Sequence, residues 1–249
     1  MAYERASGLI VRTYDWSETS RIIVVWTREL GKVRLLAKGG RRLKSNFEVA
    51  LDLLTVCSIV WLRKPSAGLE ILTEARAEER FPALRKDLKA LNAGYYIAEL
   101  LGDGTQDYDP HPGLYDAGLT ALRSLNDHSD DSLGTVSWFE WSWLRESGHL
   151  PVTASCVHCS RMLEDWRASE TTGFSTSGGG IVCENCRNSY RDYRVLEPTC
   201  LSFLTNLDVY VAANWSALNP SARRQVRQVL SDCVVYHLGR MPRLLNYLS

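Results

Sequence analysis

Cys156-Val157-His158-Cys159 and Cys183-Glu184-Asn185-Cys186 form two Cys-x-x-Cys units with twenty-three residues between them. A Cys-x-x-Cys turn can place two sulfurs on one ion, and two such turns complete the tetrahedral set that zinc prefers. The spacer is slightly longer than usual, which a loop absorbs at small entropic cost. A redox Cys-x-x-Cys normally stands alone beside a βαβ pattern, and no such pattern occurs here. The residues therefore predict one structural zinc per chain on Cys156, Cys159, Cys183 and Cys186, with redox or incidental cysteines as the competing reading. His158 could in principle replace a sulfur but reads as a bystander, because four thiolates already close the shell.

Seven cysteines in a chain of 249 residues fit a reduced metalloprotein better than a disulfide framework. Cys57, Cys200 and Cys233 lie in apolar patterns and read as core. No apolar run approaches the roughly 18 residues of a membrane helix, and the first residues lack the order of a signal peptide. A cytoplasmic protein is the expectation. Net charge is zero, but residues 1–80 hold fourteen Lys/Arg against ten Asp/Glu, whereas residues 81–249 hold fifteen against nineteen. That asymmetry, +4 against −4, is a weak pointer to an anionic partner for the N-terminal part.

Residues 1–80 read as strands. Apolar, β-branched runs at Leu9–Val11, Ile22–Trp26, Val33–Ala37, Leu53–Leu62 and Leu69–Leu72 are separated by turn signals such as Gly39-Gly40 and Pro65-Ser66-Ala67-Gly68. Five strands in so short a span predict a small closed barrel, because closure removes exposed edges. An OB fold is the first expectation and an SH3-like barrel the second. Beyond Pro82 the period becomes helical. Leu84, Leu88, Leu91, Tyr95 and Ala98 share one expected face. Pro112–Asn126 follows, with Leu114, Gly118, Leu122 and Leu125 inward, and then Ser132–Ser147, whose Trp138, Trp141 and Trp143 read as an aromatic-heavy surface. Asn219-Pro220 caps a last helix carrying Val226, Val229, Leu230, Cys233, Val234 and His237. The fold class expected is α+β and multidomain. It has a barrel over 1–80, a helical domain over 81–149 and 196–249, and the four-cysteine zinc segment at 150–195 inserted between them.

Lys38-Gly39-Gly40-Arg41-Arg42-Leu43-Lys44 puts four cations into seven residues where a barrel strand ends. Glycines let the backbone approach a phosphate chain, and arginines can grip phosphate with two N–H groups. Lys38, Arg41, Arg42 and Lys44, with Arg34 on the preceding strand, are the candidate DNA-binding residues. Arg12, Arg21 and Arg63 could extend the groove. Trp16, Trp26 and Trp61 are candidate stacking platforms if they face it. Basic loops are often merely solvated, however, and strand tryptophans more often fill small barrels than read bases.

Gly8-Leu9-Ile10-Val11, Glu18-Thr19-Ser20-Arg21-Ile22, Thr27, Gly31-Lys32, Ala37 to Arg42 and Lys44-Ser45-Asn46-Phe47 together resemble the start of the RecO family of bacterial recombination mediators. The resemblance runs on through Phe81-Pro82-Ala83-Leu84-Arg85, Glu99-Leu100-Leu101, Asp109-Pro110, Leu114-Tyr115, the two Cys-x-x-Cys units and Leu238-Gly239-Arg240, so it covers nearly the whole chain. It departs at Asn46, where the family more often carries a basic residue, and this thins the loop by one charge. Some members lack the cysteines, which fits a stabilising metal. The resemblance implies an N-terminal OB fold, a helical domain interrupted by the zinc segment, and no catalysis. The implied activities are binding of single- and double-stranded DNA, annealing of complementary strands and action with RecR. The result is RecA loading onto strands coated by single-strand-binding protein, whose acidic C-terminal tail docks on the helical domain.

Two other classes compete. A nucleic-acid enzyme would need a site, yet the chain has no HExxH, no Walker loop and no His-x-Glu ahead of the cysteines. The densest acidic cluster, Asp103, Asp107 and Asp109, reads as solvated caps and turn residues. A translation-linked RNA-binding protein also combines an OB fold with a zinc segment, and a contribution from the 2′-hydroxyl would separate it from a DNA binder.

Overall fold

A computed structural model describes residues 2–41, 47–63, 69–127, 131–167, 170–208 and 215–248. The chain divides into two compact units, residues 1–130 with 242–249, and residues 131–241.

The first unit is built on five strands: β1 (Ala2–Asp15), β2 (Arg21–Thr27), β3 (Gly31–Ala37), β4 (Thr55–Arg63) and β5 (Glu70–Arg80). They close into a barrel in the order β1-β2-β3-β5-β4. All pairings are antiparallel except β3 with β5, which run parallel at Leu35–Glu70 and Leu36–Ile71. Alternate residues point inward, so Ile23 and Val25 on β2 and Val33, Leu35 and Ala37 on β3 meet Cys57, Ile59 and Trp61 of β4 in one core. β1 and β5 extend well beyond their apolar runs. Their outer halves are polar and exposed, as the 74–80 stretch of β5 shows, so a hydrophobicity criterion finds only the buried part. Gly31 sits at φ +68°, and a Cβ there would lie 2.2 Å from the Asp109 carbonyl oxygen. Only glycine allows the 107–109 segment to cross so closely over the β2–β3 turn.

Helices α1 (Leu88–Asp103) and α2 (Pro112–Asp127) belong to this same unit. The helix expected from Pro82 starts six residues later, where the Asp87 side chain accepts the Ala90 N–H at 2.8 Å. Leu84 belongs to a separate 3-10 turn. The inward face also differs from the expected one. Leu88 is 72% exposed, while Ala90, Ala93, Gly94, Ile97 and Leu101 are buried. A small-residue stripe lets α1 lie close to its neighbours; of the expected face, Leu84 and Ala98 are buried and Leu91 and Tyr95 half-buried. Lys32 of β3 is buried, and its ammonium donates to the Gly102 carbonyl at 2.8 Å, satisfying one of the carbonyls left open where α1 ends. Glu99 of α1 accepts the backbone N–H groups of Arg243 at 2.8 Å and Leu244 at 2.9 Å, which ties the C-terminal segment to this unit.

The second unit contains α3 (Ser132–Glu146), a three-stranded sheet, α4 (Pro198–Thr205) and α5 (Pro220–Leu238). Strands β6 (Thr172–Ser175), β7 (Gly180–Cys183) and β8 (Arg194–Val195) run in the order β7-β6-β8. α5 begins as its sequence predicts: Pro220 takes the first turn and Asn219 accepts the Ala222 N–H at 2.8 Å. Val226, Val229, Leu230, Cys233 and Val234 form its buried face. Trp141 and Trp143 are buried, contrary to the aromatic-heavy surface expected of α3; their width is used to fill this core.

Candidate metal centre and nucleic-acid interface

The metal centre begins with the chain crossing the β6–β7 hairpin. Val152 and Val157 exchange backbone hydrogen bonds with Gly179 and Ile181, each 2.9 Å long. Gly180 permits this crossing, because a Cβ there would stand 2.3 Å from the Val152 carbonyl oxygen. The Ser177–Gly180 run, which its composition marks as flexible, is the hairpin turn. The Asp192 carboxylate holds it by accepting from the Ser177 N–H at 2.8 Å and the Ser175 hydroxyl at 2.7 Å. The first cysteine turn then closes on itself, with Cys156 N–H donating to the Arg161 carbonyl at 2.9 Å and Ser160 N–H to the Cys156 carbonyl at 2.8 Å. Ser160 adopts φ +61° to make that turn. The second pair leaves the end of β7 at Cys183 and enters a 3-10 turn, Glu184–Ser189, that carries Cys186.

The ligand atoms of Cys156, Cys159, Cys183 and Cys186 all lie within 4.8 Å of one another. Cys159 Sγ and Cys183 Sγ are 3.8 Å apart, which is the edge of a tetrahedron with metal–sulfur bonds of about 2.3 Å. The electrostatics point the same way. Burial works against a Cys156 thiolate, yet the N–H groups of Cys183, Cys159 and His158 outweigh it and hold the thiol down at about 6. Burial and then the neighbouring sulfurs push Cys186 up, and Cys183 is also raised. Four thiolates so close together repel one another, and a cation at their centre removes that repulsion. The four predicted ligands thus converge into a set able to hold a metal. His158 is exposed and meets Tyr190 edge to face at 6.0 Å, outside that set. Cys57, Cys200 and Cys233 are buried in the cores, as expected.

Of the expected DNA-binding residues, Lys38 and Arg41 follow the end of β3, whereas Arg34 lies in the middle of that strand. Arg21 pairs in register with Ala37, so the β1–β2 turn and the segment after β3 leave the same rim. Lys38 is exposed and makes no ion pair among the described residues. Arg41 is exposed but engaged: it donates to the Ser17 carbonyl at 2.9 Å and lies 3.4 Å from Asp15. Arg34 projects from β3 and pairs with Asp107 at 2.9 Å. Arg42 and Lys44 lie outside the described residues. Arg12 pairs with Asp103 at 2.7 Å, Arg21 with Asp15 at 3.5 Å and Arg63 with Glu4 at 2.6 Å. Of the three candidate stacking tryptophans, the structure exposes one. Trp26 and Trp61 are 0% exposed, whereas Trp16 in the β1–β2 turn is 62% exposed. Tyr14, two residues earlier, is also exposed and beneath the Arg12 guanidinium, a contact that sequence reasoning missed. The acidic cluster is divided among separate partners: Asp103 faces Arg12, Asp107 faces Arg34 and Lys32, and Asp109 meets the His111 imidazole at 3.1 Å.

A five-stranded barrel, helices and a four-cysteine cluster able to hold a metal ion define a mixed α+β protein. Two family models account for almost all of it: "Recombination protein O N terminal" matches residues 1–81 and "Recombination protein O C terminal" matches residues 85–245. The chain belongs to the RecO family. It is 44% identical over 182 residues to the DNA repair protein RecO of Rhodopirellula baltica, covering 73% of this chain and 66%, just under two thirds, of that protein. It is 29% identical over 251 residues to the DNA repair protein RecO of Desulforudis audaxviator, covering 100% of this chain and 97% of the other. A third relative, the DNA repair protein RecO of Listeria monocytogenes, is 30% identical over 213 residues, 82% of this chain and 79% of that one.

Proposed function

We propose that this protein is a non-enzymatic DNA repair and recombination mediator. In this reading it binds single- and double-stranded DNA through an N-terminal OB fold, anneals complementary strands and, with RecR, helps load RecA onto strands coated by single-strand-binding protein. The observation that carries the reading is the barrel rim, where Arg41 bonds the β1–β2 turn that bears exposed Trp16, and exposed Lys38 follows β3 at the same rim. Cations that neutralise phosphate and aromatic faces that accept bases are the two ingredients of single-strand recognition. The parallel β3–β5 pairing in a closed β1-β2-β3-β5-β4 order supports the OB assignment.

In this reading Lys38, Arg42 and Lys44 meet phosphate, and Arg34 and Arg41 add positive potential while held by carboxylates. Cys156, Cys159, Cys183 and Cys186 hold one structural Zn2+, whose contribution is folding energy, since four thiolates leave no ligand position for substrate. RecR, the tail of single-strand-binding protein and RecA enter through family membership. Among the described residues no helix is long and apolar enough to cross a membrane, and a cytoplasmic, nucleoid-associated location fits the proposed work. The test is annealing of complementary strands coated by the cognate single-strand-binding protein, with and without RecR. Faster pairing than spontaneous annealing is expected; no acceleration, or acceleration equal for matched RNA, would overturn the reading.

A further inference from the structure

At the barrel rim Arg41 is built into the fold. Its backbone N–H donates to the Thr19 carbonyl at 3.1 Å, its Nη1 donates to the Ser17 carbonyl at 2.9 Å, and its Nε faces Asp15 at 3.4 Å. All three partners flank or belong to the β1–β2 turn. That turn is also closed from within: the N–H groups of Trp16 and Ser17 donate to the Ser20 carbonyl at 3.0 and 3.2 Å, and Ser20 N–H donates to Ser17 Oγ at 3.1 Å. The braced turn presents Trp16, 62% exposed, with no side-chain hydrogen bond or ring contact among the described residues. An indole held out in water on a rigid, cation-flanked turn has a free face of the kind on which a base stacks.

Resting on the DNA-binding reading above, we infer that Trp16 is the base-stacking residue of this surface and that Arg41 is a positioning residue for it, rather than a phosphate contact. The ligand class is an unpaired nucleobase in a single strand. A duplex keeps its base faces stacked on one another and offers the indole nothing, so Trp16 makes the rim selective for single strands, while Lys38 and its neighbours bind either form.

The experiment compares a fluorescent oligo-dT with an abasic strand of equal length, which has the same phosphates and no bases. Wild type should favour oligo-dT. Trp16→Ala should weaken oligo-dT binding on the order of ten-fold, with little change for the abasic strand and an unchanged salt slope; Trp16→Phe should retain most of the preference. Arg41→Ala should reproduce the Trp16→Ala pattern. If Arg41→Ala instead weakens both strands equally and lowers the salt slope by about 0.7, Arg41 is a phosphate contact and the inference fails. If Trp16→Ala binds oligo-dT as wild type does, the stacking role fails while DNA binding stands. If wild type binds neither strand, the DNA-binding reading itself is what has failed. Circular dichroism of each variant checks that the barrel is folded.

Discussion

The Arg227 guanidinium on α5 grips both carboxylate oxygens of Glu140 on α3, whose side chain is fully buried. This pair lies inside the core that α3 and α5 share, and Arg227 also reaches the Ser137 hydroxyl at 3.4 Å. Removing one partner strands a charge in a medium that cannot solvate it. Arg227→Met should therefore cost about 3–5 kcal/mol, read from urea unfolding. The double variant Glu140→Leu with Arg227→Met should be less damaged than Arg227→Met alone, because no buried charge is left over. Equal losses would mean that Glu140 is solvated in the folded protein.

The four-cysteine centre predicts metal-dependent stability. Protein purified without added metal should contain close to one zinc per chain by elemental analysis. Cys183→Ser and Cys159→Ser should each lower both the zinc content and the melting temperature, since removing one ligand of a closed site removes folding energy. Wild type and variants that melt alike and carry no zinc would rule out a structural metal.

The proposed phosphate contacts predict a change in salt dependence. Each single-strand phosphate contact contributes roughly 0.7 to the magnitude of the log–log slope of affinity against salt. Lys38→Ala, Arg42→Ala and Lys44→Ala combined should lower it by about 2 if all three touch phosphate. Stability should hardly change, because Lys38 is exposed and makes no ion pair among the described residues. An unchanged slope in the folded variant would move the phosphate contacts to other cations of the barrel.

His237 predicts a pH effect on the second unit. Its imidazole stacks on that of His149 with ring centres 4.0 Å apart, and burial, then the neighbouring His149, lowers its pKa below the ordinary histidine value. The folded state thus favours neutral His237, whereas the unfolded chain takes up its proton at about 6.5. Stability is full above that pH and falls as pH drops through 6.5 and the lower folded value. Chemical denaturation between pH 8 and 5 should show this loss, and His237→Gln should flatten the curve. A variant with the wild-type pH profile would assign the dependence to other groups.

What the sequence determined by itself is what depends on residue type and short-range spacing. Cys156, Cys159, Cys183 and Cys186 were legible as one cluster able to hold a metal, because metal coordination dictates both the donor chemistry and the two-residue gaps. The five barrel strands were legible at their buried centres, and α5 at its Asn219-Pro220 start, because caps act within one turn. Tertiary structure decided what depends on which surface meets which. It buried Trp26, Trp61, Trp141 and Trp143 and left Trp16 in solvent, although all five are equally apolar. It turned Leu88 outward on α1 and seated α1 and α2 in the barrel's unit, choices set by neighbours that a helical period does not specify. It placed Arg41 against Asp15 and Ser17, and divided Asp103, Asp107 and Asp109 among Arg12, Arg34, Lys32 and His111. Charge can be counted along a chain, but whether a cation is free for a ligand or held by a carboxylate depends on distances of a few ångströms, and only folding sets those.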